Sequence, residues 1–244
     1  MASEEFSITI GKYDFVWATH ERGPAKEDGT QPPLVIMLHS FPGDSKSYGN
    51  VFQDIAHLAA KVGLHSLRFD FRGCGQSDKS AHFFSLRTAH EDVMAVLHWA
   101  EKSGYTQFIF VAEGVGAAIA LTALSDAIGP KIQGLAFLWP IIEAKESWLA
   151  AEHAEIGPDL RAEIQKYTLT PMLSRITMPV LIQHGTEDDK AAAIQRETLT
   201  RYAGTDQFEI VRYTGGGHGL KTATERELVL RNIRDFFKKI AVFS

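Results

Sequence analysis

The sequence predicts an α/β protein, built on a doubly wound, mostly parallel β-sheet of about eight strands with helices on both faces and a small helical cap. Three observations lead to this fold class. Short apolar runs alternate along the chain with segments whose apolar residues recur at helical spacing. The runs are apolar at nearly every position, as in parallel strands that helices cover on both faces. A glycine-rich corner also joins the most apolar run directly to a helix, between Phe108 and Leu121.

The individual elements follow from periodicity and turn residues. Residues 6–10 and 13–19 predict two short antiparallel edge strands around a Gly-Lys turn. Apolar strands are predicted at 34–38, 64–69, from 108 onward, 132–138, 180–183 and 208–213. Amphipathic helices are predicted at 48–62, at 86–100, after the corner at 114, at 190–203 and at the C-terminal end. The last helix is predicted to begin with the capping box Thr224-x-x-Glu227.

The alternation of strands and helices breaks between Pro140 and Pro179. With 244 residues and 45% hydrophobic composition, the chain is expected to form one domain over 1–244. The interruption then predicts a cap inserted at about 140–178, with helical pieces at 143–153 and 158–167. Apolar and aromatic side chains of such a cap are candidates to line a substrate pocket, although burial against the sheet explains them equally well.

Composition and charge exclude several other classes of function. The formal net charge of -5 provides no basic field for nucleic acid, and a single cysteine, Cys74, excludes an internal disulfide. The first residues are acidic where a signal peptide is basic, and the longest apolar stretch contains Glu113, so a cytoplasmic protein without a membrane span is expected. Nothing in the sequence requires a metal or an organic cofactor, so neither is expected. His90 and His98 are spaced too far apart on a helix to form a pair of metal ligands.

The corner reads Ala112-Glu113-Gly114-Val115-Gly116. A strand that turns into a helix through small residues matches the nucleophile elbow, G-x-S-x-G, in which the middle residue is the nucleophile. Here Gly114 occupies that position and provides no side chain. Two other interpretations remain: a tight turn without chemistry, and a dinucleotide loop that lacks its third glycine and its acidic partner.

Four signatures in one order resemble the α/β-hydrolase fold family, in particular its small-cap esterases, peptidases and acyl hydrolases. They are His39-Ser40-Phe41-Pro42-Gly43 against H-G-F-x-G, the segment 70–77 (DFRGCGQS) against D-x-R-G-x-G-x-S, the elbow, and late acid and histidine loops. The resemblance spans residues 34–220. It implies that the domain is an α/β-hydrolase fold.

The resemblance also implies which residues form the site. Asp188, in the H-G-x-x-D pattern, takes the position of the acid, with Glu187 and Asp189 as alternatives. His218, among glycines, takes the position of the general base. The oxyanion donors are the backbone N–H groups of Val115 and Phe41.

Further residues are candidates for contact with a substrate: Ser40, Trp139, Trp148 and Tyr167. Ser40 stands where the family has a glycine. Its side chain could narrow the approach to Phe41 or supply an additional hydroxyl at the site. A third alternative is that Ser40 replaces the missing nucleophile, although it does not lie on the sharp turn that exposes the nucleophile in the elbow.

Three functional hypotheses follow from the missing serine. The first is a carboxylesterase-like hydrolase of small apolar or aromatic esters, thioesters or amides whose covalent catalysis is lost or very weak. The second is a noncovalent catalyst in which the Asp-His dyad activates water or moves a proton. The third is a noncatalytic protein that binds a small ligand or a partner.

Overall fold

The computed structural model describes residues 2–24, 29–124, 131–142, 157–166, 170–188 and 201–241. Among these residues it contains an eight-stranded sheet. The strands are β1 (Ala2–Ile10), β2 (Asp14–Arg22), β3 (Leu34–Leu38), β4 (His65–Phe69), β5 (Phe108–Glu113), β6 (Ile132–Leu138), β7 (Val180–Gly185) and β8 (Phe208–Tyr213). Their order in the sheet is β1-β2-β4-β3-β5-β6-β7-β8. Strand β2 is antiparallel to both β1 and β4, and the remaining pairs are parallel.

Helices cover both faces of this sheet, which confirms the predicted fold class. The helices described are α1 (Val51–Lys61), α2 (Leu86–Lys102), α3 (Gly116–Ala123), α4 (Pro158–Lys166), α5 (Thr170–Leu173) and α6 (Ala223–Ala241), with short 3₁₀ turns at Tyr48–Asn50 and Ala81–Phe83. Helices α1 and α6 pack on one face against Val35, Met37 and Val111. Helices α2 and α3 pack on the other face against Leu34 and Ile36. Alternate residues of one central strand therefore enter different cores, which is why the strand is apolar throughout.

The elements differ from the sequence expectations mainly at their ends. The N-terminal hairpin is longer on both sides than predicted, and α1 begins at residue 51 after a 3₁₀ turn. The capping box of the last helix was predicted two residues too late. The Glu225 N–H donates to the Thr222 hydroxyl at 3.1 Å, and the Glu225 carboxylate accepts from the Thr222 N–H at 2.9 Å. Thr222-x-x-Glu225 and Thr224-x-x-Glu227 both fit the capping-box pattern. The structure forms the first, in which the glutamate is buried.

Part of the predicted cap lies within the described residues. Helix α4 matches the predicted helix at 158–167, whereas the predicted helix at 143–153 and most of the one at 190–203 lie outside the described residues. The Glu163 carboxylate accepts from the Leu86 N–H at 2.6 Å and from the Arg87 N–H at 3.4 Å. This carboxylate satisfies free donors at the start of α2, so α4 is attached to the main domain beside the carboxyl ends of the strands.

No helix among the described residues is both long enough and apolar enough to span a membrane.

Candidate active site

The elbow is a sharp turn between β5 and α3. Gly114 has a φ of +51°, a conformation that a residue with a side chain adopts only with strain. Gly116 begins α3, and a Cβ on it would overlap the Leu38 carbonyl oxygen and lie 2.9 Å from the His39 carbonyl oxygen. The second glycine of the motif therefore lets α3 approach the end of β3.

Ser40 and Gly114 lie side by side because β3 and β5 are adjacent parallel strands. Leu38 is the register partner of Ala112, and each candidate residue follows two positions later on its own chain segment. A Cβ placed on Gly114 would overlap the Ser40 hydroxyl oxygen and lie 2.9 Å from the Ser40 Cβ. The same point lies 3.9 Å from Nε2 of His218. The side chain of Ser40 therefore fills the space that belongs to the side chain of residue 114, and His218 faces that space.

His39 fixes the backbone of Ser40. Its Nε2 accepts a hydrogen bond from the Phe71 N–H at 3.1 Å, so its Nδ1 carries the proton and donates to the Ser40 carbonyl at 2.6 Å. Burial lowers the pKa of His39, and the ring is neutral. His39 is thus a structural clamp on the turn that carries the Ser40 hydroxyl.

The two residues expected to provide oxyanion donors are both next to Ser40, Val115 in space and Phe41 in sequence. The Val115 N–H donates to the Ser40 hydroxyl oxygen at 3.3 Å. Phe41 follows Ser40 directly, and its ring is buried and stacks on Phe84 at a centroid distance of 4.2 Å. One of the two expected donors is therefore engaged by the Ser40 side chain.

Asp188 and His218 meet on the other side of the site. Nδ1 of His218 lies 3.2 Å and 3.3 Å from the two carboxylate oxygens of Asp188. The Asp188 side chain is completely buried, whereas that of His218 is 29% exposed. A buried carboxylate accepting from Nδ1–H leaves Nε2 as the free base, and this is the atom that faces residue 114.

The loops that carry this pair are joined by their backbones. The Glu187 N–H donates to the Gly216 carbonyl at 2.8 Å, and the Gly215 N–H donates to the Thr186 hydroxyl at 3.0 Å. A Cβ on Gly185 would overlap the backbone of Gly216. The separation of the acid and the histidine is therefore set by two loops in direct backbone contact.

Glu113 is a buried carboxylate beside the elbow, and the sequence analysis assigned it no role in the site. It accepts a short hydrogen bond from the Ser47 hydroxyl and another at 3.1 Å from Nε1 of Trp139. The register of β5 and β6, which pairs Glu113 with Leu138, places the indole nearby. This carboxylate links the elbow to the loop before α1 and to the end of β6.

Trp139 was expected to contact substrate, and the structure does not support that role. Its ring is 1% exposed and belongs to the core beneath α1 and α6. An aromatic residue that does lie at the edge of the site is Tyr48, which is 55% exposed. A Cβ on Gly219 would lie 3.4 Å from the Tyr48 ring, so this ring stands next to the histidine loop. Tyr48 belongs to none of the sequence motifs, so the sequence gave no indication that it lies near the site.

Other predicted side chains contribute little to this geometry. Trp148, Tyr167 and the alternative acid Asp189 lie outside the described residues, and Glu187 is exposed. Burial, and then the charge of Asp70, raises the pKa of the Cys74 thiol to about 12, so it is protonated and unreactive at neutral pH. The described residues contain no cluster of three or more His, Cys, Asp or Glu side chains that could hold a metal ion.

Comparison with known proteins agrees with this architecture. A family model described as the alpha/beta hydrolase fold matches residues 33–155. A curated relative, the "uncharacterized 31.7 kDa protein in traX-finO intergenic region" of Escherichia coli, is 32% identical over 76 residues. This match covers 31% of the chain and 26% of the relative, so the chain spans about a quarter of the length of that relative.

Solved structures are similar over nearly the whole chain. Est1E from Butyrivibrio proteoclasticus, with ferulic acid bound, has a TM-score of 0.82 at 18% identity and covers 97% of this chain and 99% of its own. The esterase EaEST from Exiguobacterium antarcticum has a TM-score of 0.73 at 17% identity and covers 95% and 98%. A monoacylglycerol lipase from Paleococcus ferrophilus has a TM-score of 0.68 at 15% identity and covers 91% and 98%. At these identities the similarity shows the fold.

Proposed function

This chain belongs to the α/β-hydrolase fold family, and we propose that it is a carboxylesterase-like acyl hydrolase in which His218 is the general base and residue 114 cannot be the nucleophile. One observation carries the proposal: Nδ1 of His218 is bound to the buried Asp188 carboxylate, while Nε2 faces a point 3.9 Å away above Gly114. A buried carboxylate holding an imidazole in one tautomer is the arrangement that makes Nε2 an effective proton acceptor.

Without a nucleophile at residue 114, the usual covalent reaction of the family is expected to be very slow. Loss of the nucleophile from such a triad lowers kcat by up to about 10⁶-fold in well-studied hydrolases, leaving what the oxyanion donors and substrate binding provide. Any remaining turnover needs a different nucleophile that His218 can deprotonate. The substrate class is small esters, thioesters or amides with an apolar or aromatic acyl group, for which Tyr48 at the rim offers an aromatic surface.

We propose that the predicted cap, at about 140–178, forms one side of the substrate pocket. Helix α4 is held beside the carboxyl ends of the strands by the contact of Glu163 with the start of α2. No cofactor or metal enters the proposal, because a nucleophile, a base and backbone N–H donors suffice for acyl transfer.

The test is hydrolysis of a p-nitrophenyl ester series by the natural chain and by His218→Ala and Asp188→Asn. We expect His218→Ala to lower kcat by about 10²-fold or more, and Asp188→Asn to lower it as well, because each removes base catalysis. His98→Ala, which changes an exposed histidine on α2, is the matched control and should retain full turnover. Equal turnover by the natural chain and His218→Ala would contradict the proposal.

A second candidate function is noncatalytic binding of a small ligand, and one observation favours it. The Val115 N–H, an expected oxyanion donor, is already bonded to the Ser40 hydroxyl. If binding is the function, thermal unfolding should shift upward with ligand while ester turnover does not depend on His218. A water lodged beside Gly114, as the hypothesis of a noncovalent catalyst requires, would have to compete with the Ser40 side chain for the same space.

A further inference from the structure

Two positions of the site depart from the family patterns, and their departures are opposite. The elbow has glycine where the pattern has serine, and the turn after β3 has serine where the pattern has glycine. In the structure the hydroxymethyl group of Ser40 occupies the volume of a side chain on residue 114. The serine hydroxyl that is missing at residue 114 is thus present at residue 40, in the same small space.

We propose that Ser40 is the nucleophile of this site, displaced from the elbow to the neighbouring turn. This inference rests on the proposed function, since it needs His218 as the base. It also gives a second reason, besides the backbone conformation, why residue 114 is a glycine: any Cβ there would overlap the Ser40 hydroxyl.

The surroundings of the hydroxyl suit a nucleophile. The Val115 N–H donates to the oxygen and is the only hydrogen-bond partner of that oxygen among the residues that the structure describes. Since the oxygen accepts there, its own proton remains available for Nε2 of His218, which lies 3.9 Å from the Cβ position of residue 114 that the hydroxyl overlaps. A donor held against the oxygen also favours the alkoxide character that develops as the proton leaves.

The backbone of the nucleophile is held in place. His39 donates to the Ser40 carbonyl at 2.6 Å and is itself held by the Phe71 N–H. This clamp provides at Ser40 the fixed orientation that the strained elbow provides at residue 114 in the family pattern. His39 is accordingly a positioning residue.

The reaction is acyl transfer in two steps. Oγ of Ser40 forms a bond to the ester carbonyl carbon while its proton passes to Nε2 of His218. The tetrahedral oxyanion then collapses, the bond to the leaving oxygen breaks, and that oxygen takes the proton from His218, leaving an acyl-Ser40 ester. In the second step water attacks the acyl carbon while His218 takes one of its protons. The bond between that carbon and Oγ of Ser40 then breaks, and Oγ takes the proton back from His218, which releases the carboxylic acid and free Ser40.

The experiment is covalent labelling combined with turnover. The natural chain, Ser40→Ala, Ser40→Cys, His218→Ala and the exposed-serine control Ser103→Ala are each treated with diethyl p-nitrophenyl phosphate. Intact mass and peptide mapping then identify the modified residue. We expect one adduct, on Ser40, in the natural chain and in Ser103→Ala, no adduct on that peptide in Ser40→Ala, and labelling slowed by about 10²-fold or more in His218→Ala.

Turnover of p-nitrophenyl acetate separates this proposal from the proposed function. If Ser40→Ala loses activity by about 10²-fold or more at an unchanged melting temperature, and Ser40→Cys keeps an acyl-enzyme burst, both proposals hold. If Ser40→Ala retains activity that His218→Ala removes, the hydrolase proposal stands and the displaced nucleophile is wrong. If turnover is independent of His218, the hydrolase proposal is wrong, and the absence of an adduct on Ser40 then overturns this inference as well.

Discussion

On the side of the site formed after β7 and β8, Asp188 and His218 occupy the positions expected for an acid and a base, and two loops in backbone contact hold them together. On the side formed after β3 and β5, Ser40 and Gly114 each differ from the family pattern. The first side depends on backbone packing between glycines. The second side depends on the side chain of Ser40, which fills the space that a side chain on residue 114 would occupy.

This difference indicates that substitutions on the second side act as a pair. Restoring one position without changing the other places two side chains in the same volume. The contrast between the two sides can be tested by changing each in turn, and the expected effects differ greatly in size.

The largest effect is expected from reversing both departures at once. In Gly114→Ser combined with Ser40→Gly, the elbow regains a hydroxyl and the overlap with Ser40 disappears. Because Nε2 of His218 already faces the Cβ position at 3.9 Å, we expect esterase turnover to rise by about 10³-fold or more over the natural chain. The measurement is kcat/KM for p-nitrophenyl butyrate.

Two single variants are the controls for that reversal. Ser40→Gly alone should be inactive, and Gly114→Ser alone should be inactive and less stable than the natural chain. If the double variant shows no turnover while its fold remains intact, the Asp188 side of the site is not competent for acyl chemistry.

The next effect concerns the acid and histidine loops. Gly185→Ala would overlap the carbonyl of Gly216 and lie 2.7 Å from its Cα. Backbone atoms cannot move aside as a flexible side chain can, so we expect the free energy of unfolding to fall by about 3 kcal/mol and turnover that depends on His218 to fall with it. Urea unfolding checks the first expectation. Gly215→Ala, where a Cβ meets open space but φ is +73°, separates backbone strain from overlap.

A smaller effect is expected at the elbow. Gly114→Ala places a Cβ at a φ of +51° and against the Ser40 side chain, and we expect a loss of about 2 kcal/mol in the free energy of unfolding. Adding Ser40→Gly should recover part of that loss, since it removes the overlap and leaves only the backbone strain. Strictly additive losses in a double-mutant cycle would show that the two positions are not coupled.

Sequence patterns predicted the sheet well because each central strand is buried on both faces. Leu34 to Leu38 contribute alternately to two cores, so all five positions had to be apolar and the strand was evident. The capping box was harder to place, since Thr222 and Thr224 both precede a glutamate by three residues. Only the burial of Glu225 distinguishes the two, and burial depends on tertiary packing.

The site shows the same division. The order of the motifs pointed to Asp188 and His218, which the structure brings within 3.2 Å of each other. The link from Glu113 to Ser47 joins residues 66 positions apart, and no spacing rule reveals it. The contact between Ser40 and Gly114 follows from the register of β3 and β5, which depends on the strand order of the whole sheet.

The smallest expected effect lies outside the site and fixes the pH range in which its two sides can be compared. His20 and His65 both form a hydrogen bond with the Tyr105 hydroxyl, at 2.9 Å and 2.7 Å. Burial, with smaller contributions from Arg22 and His65, lowers the pKa of His20 from 6.5 to about 4. In this range the unfolded chain binds a proton that the folded chain excludes, so the stabilising effect is complete above pH 6.5 and is lost as the pH falls toward 4.

We therefore expect the free energy of unfolding to fall by about 1–2 kcal/mol between pH 7 and pH 5 on account of His20. Urea unfolding of the natural chain and of His20→Gln at both pH values measures this, and His98→Gln, at an exposed histidine, is the control. The variant should lose less stability on acidification, whatever its stability at pH 7. An equal loss would assign the acid sensitivity to other groups. A loss of turnover at low pH therefore reports on the site only where this measurement shows that the fold persists.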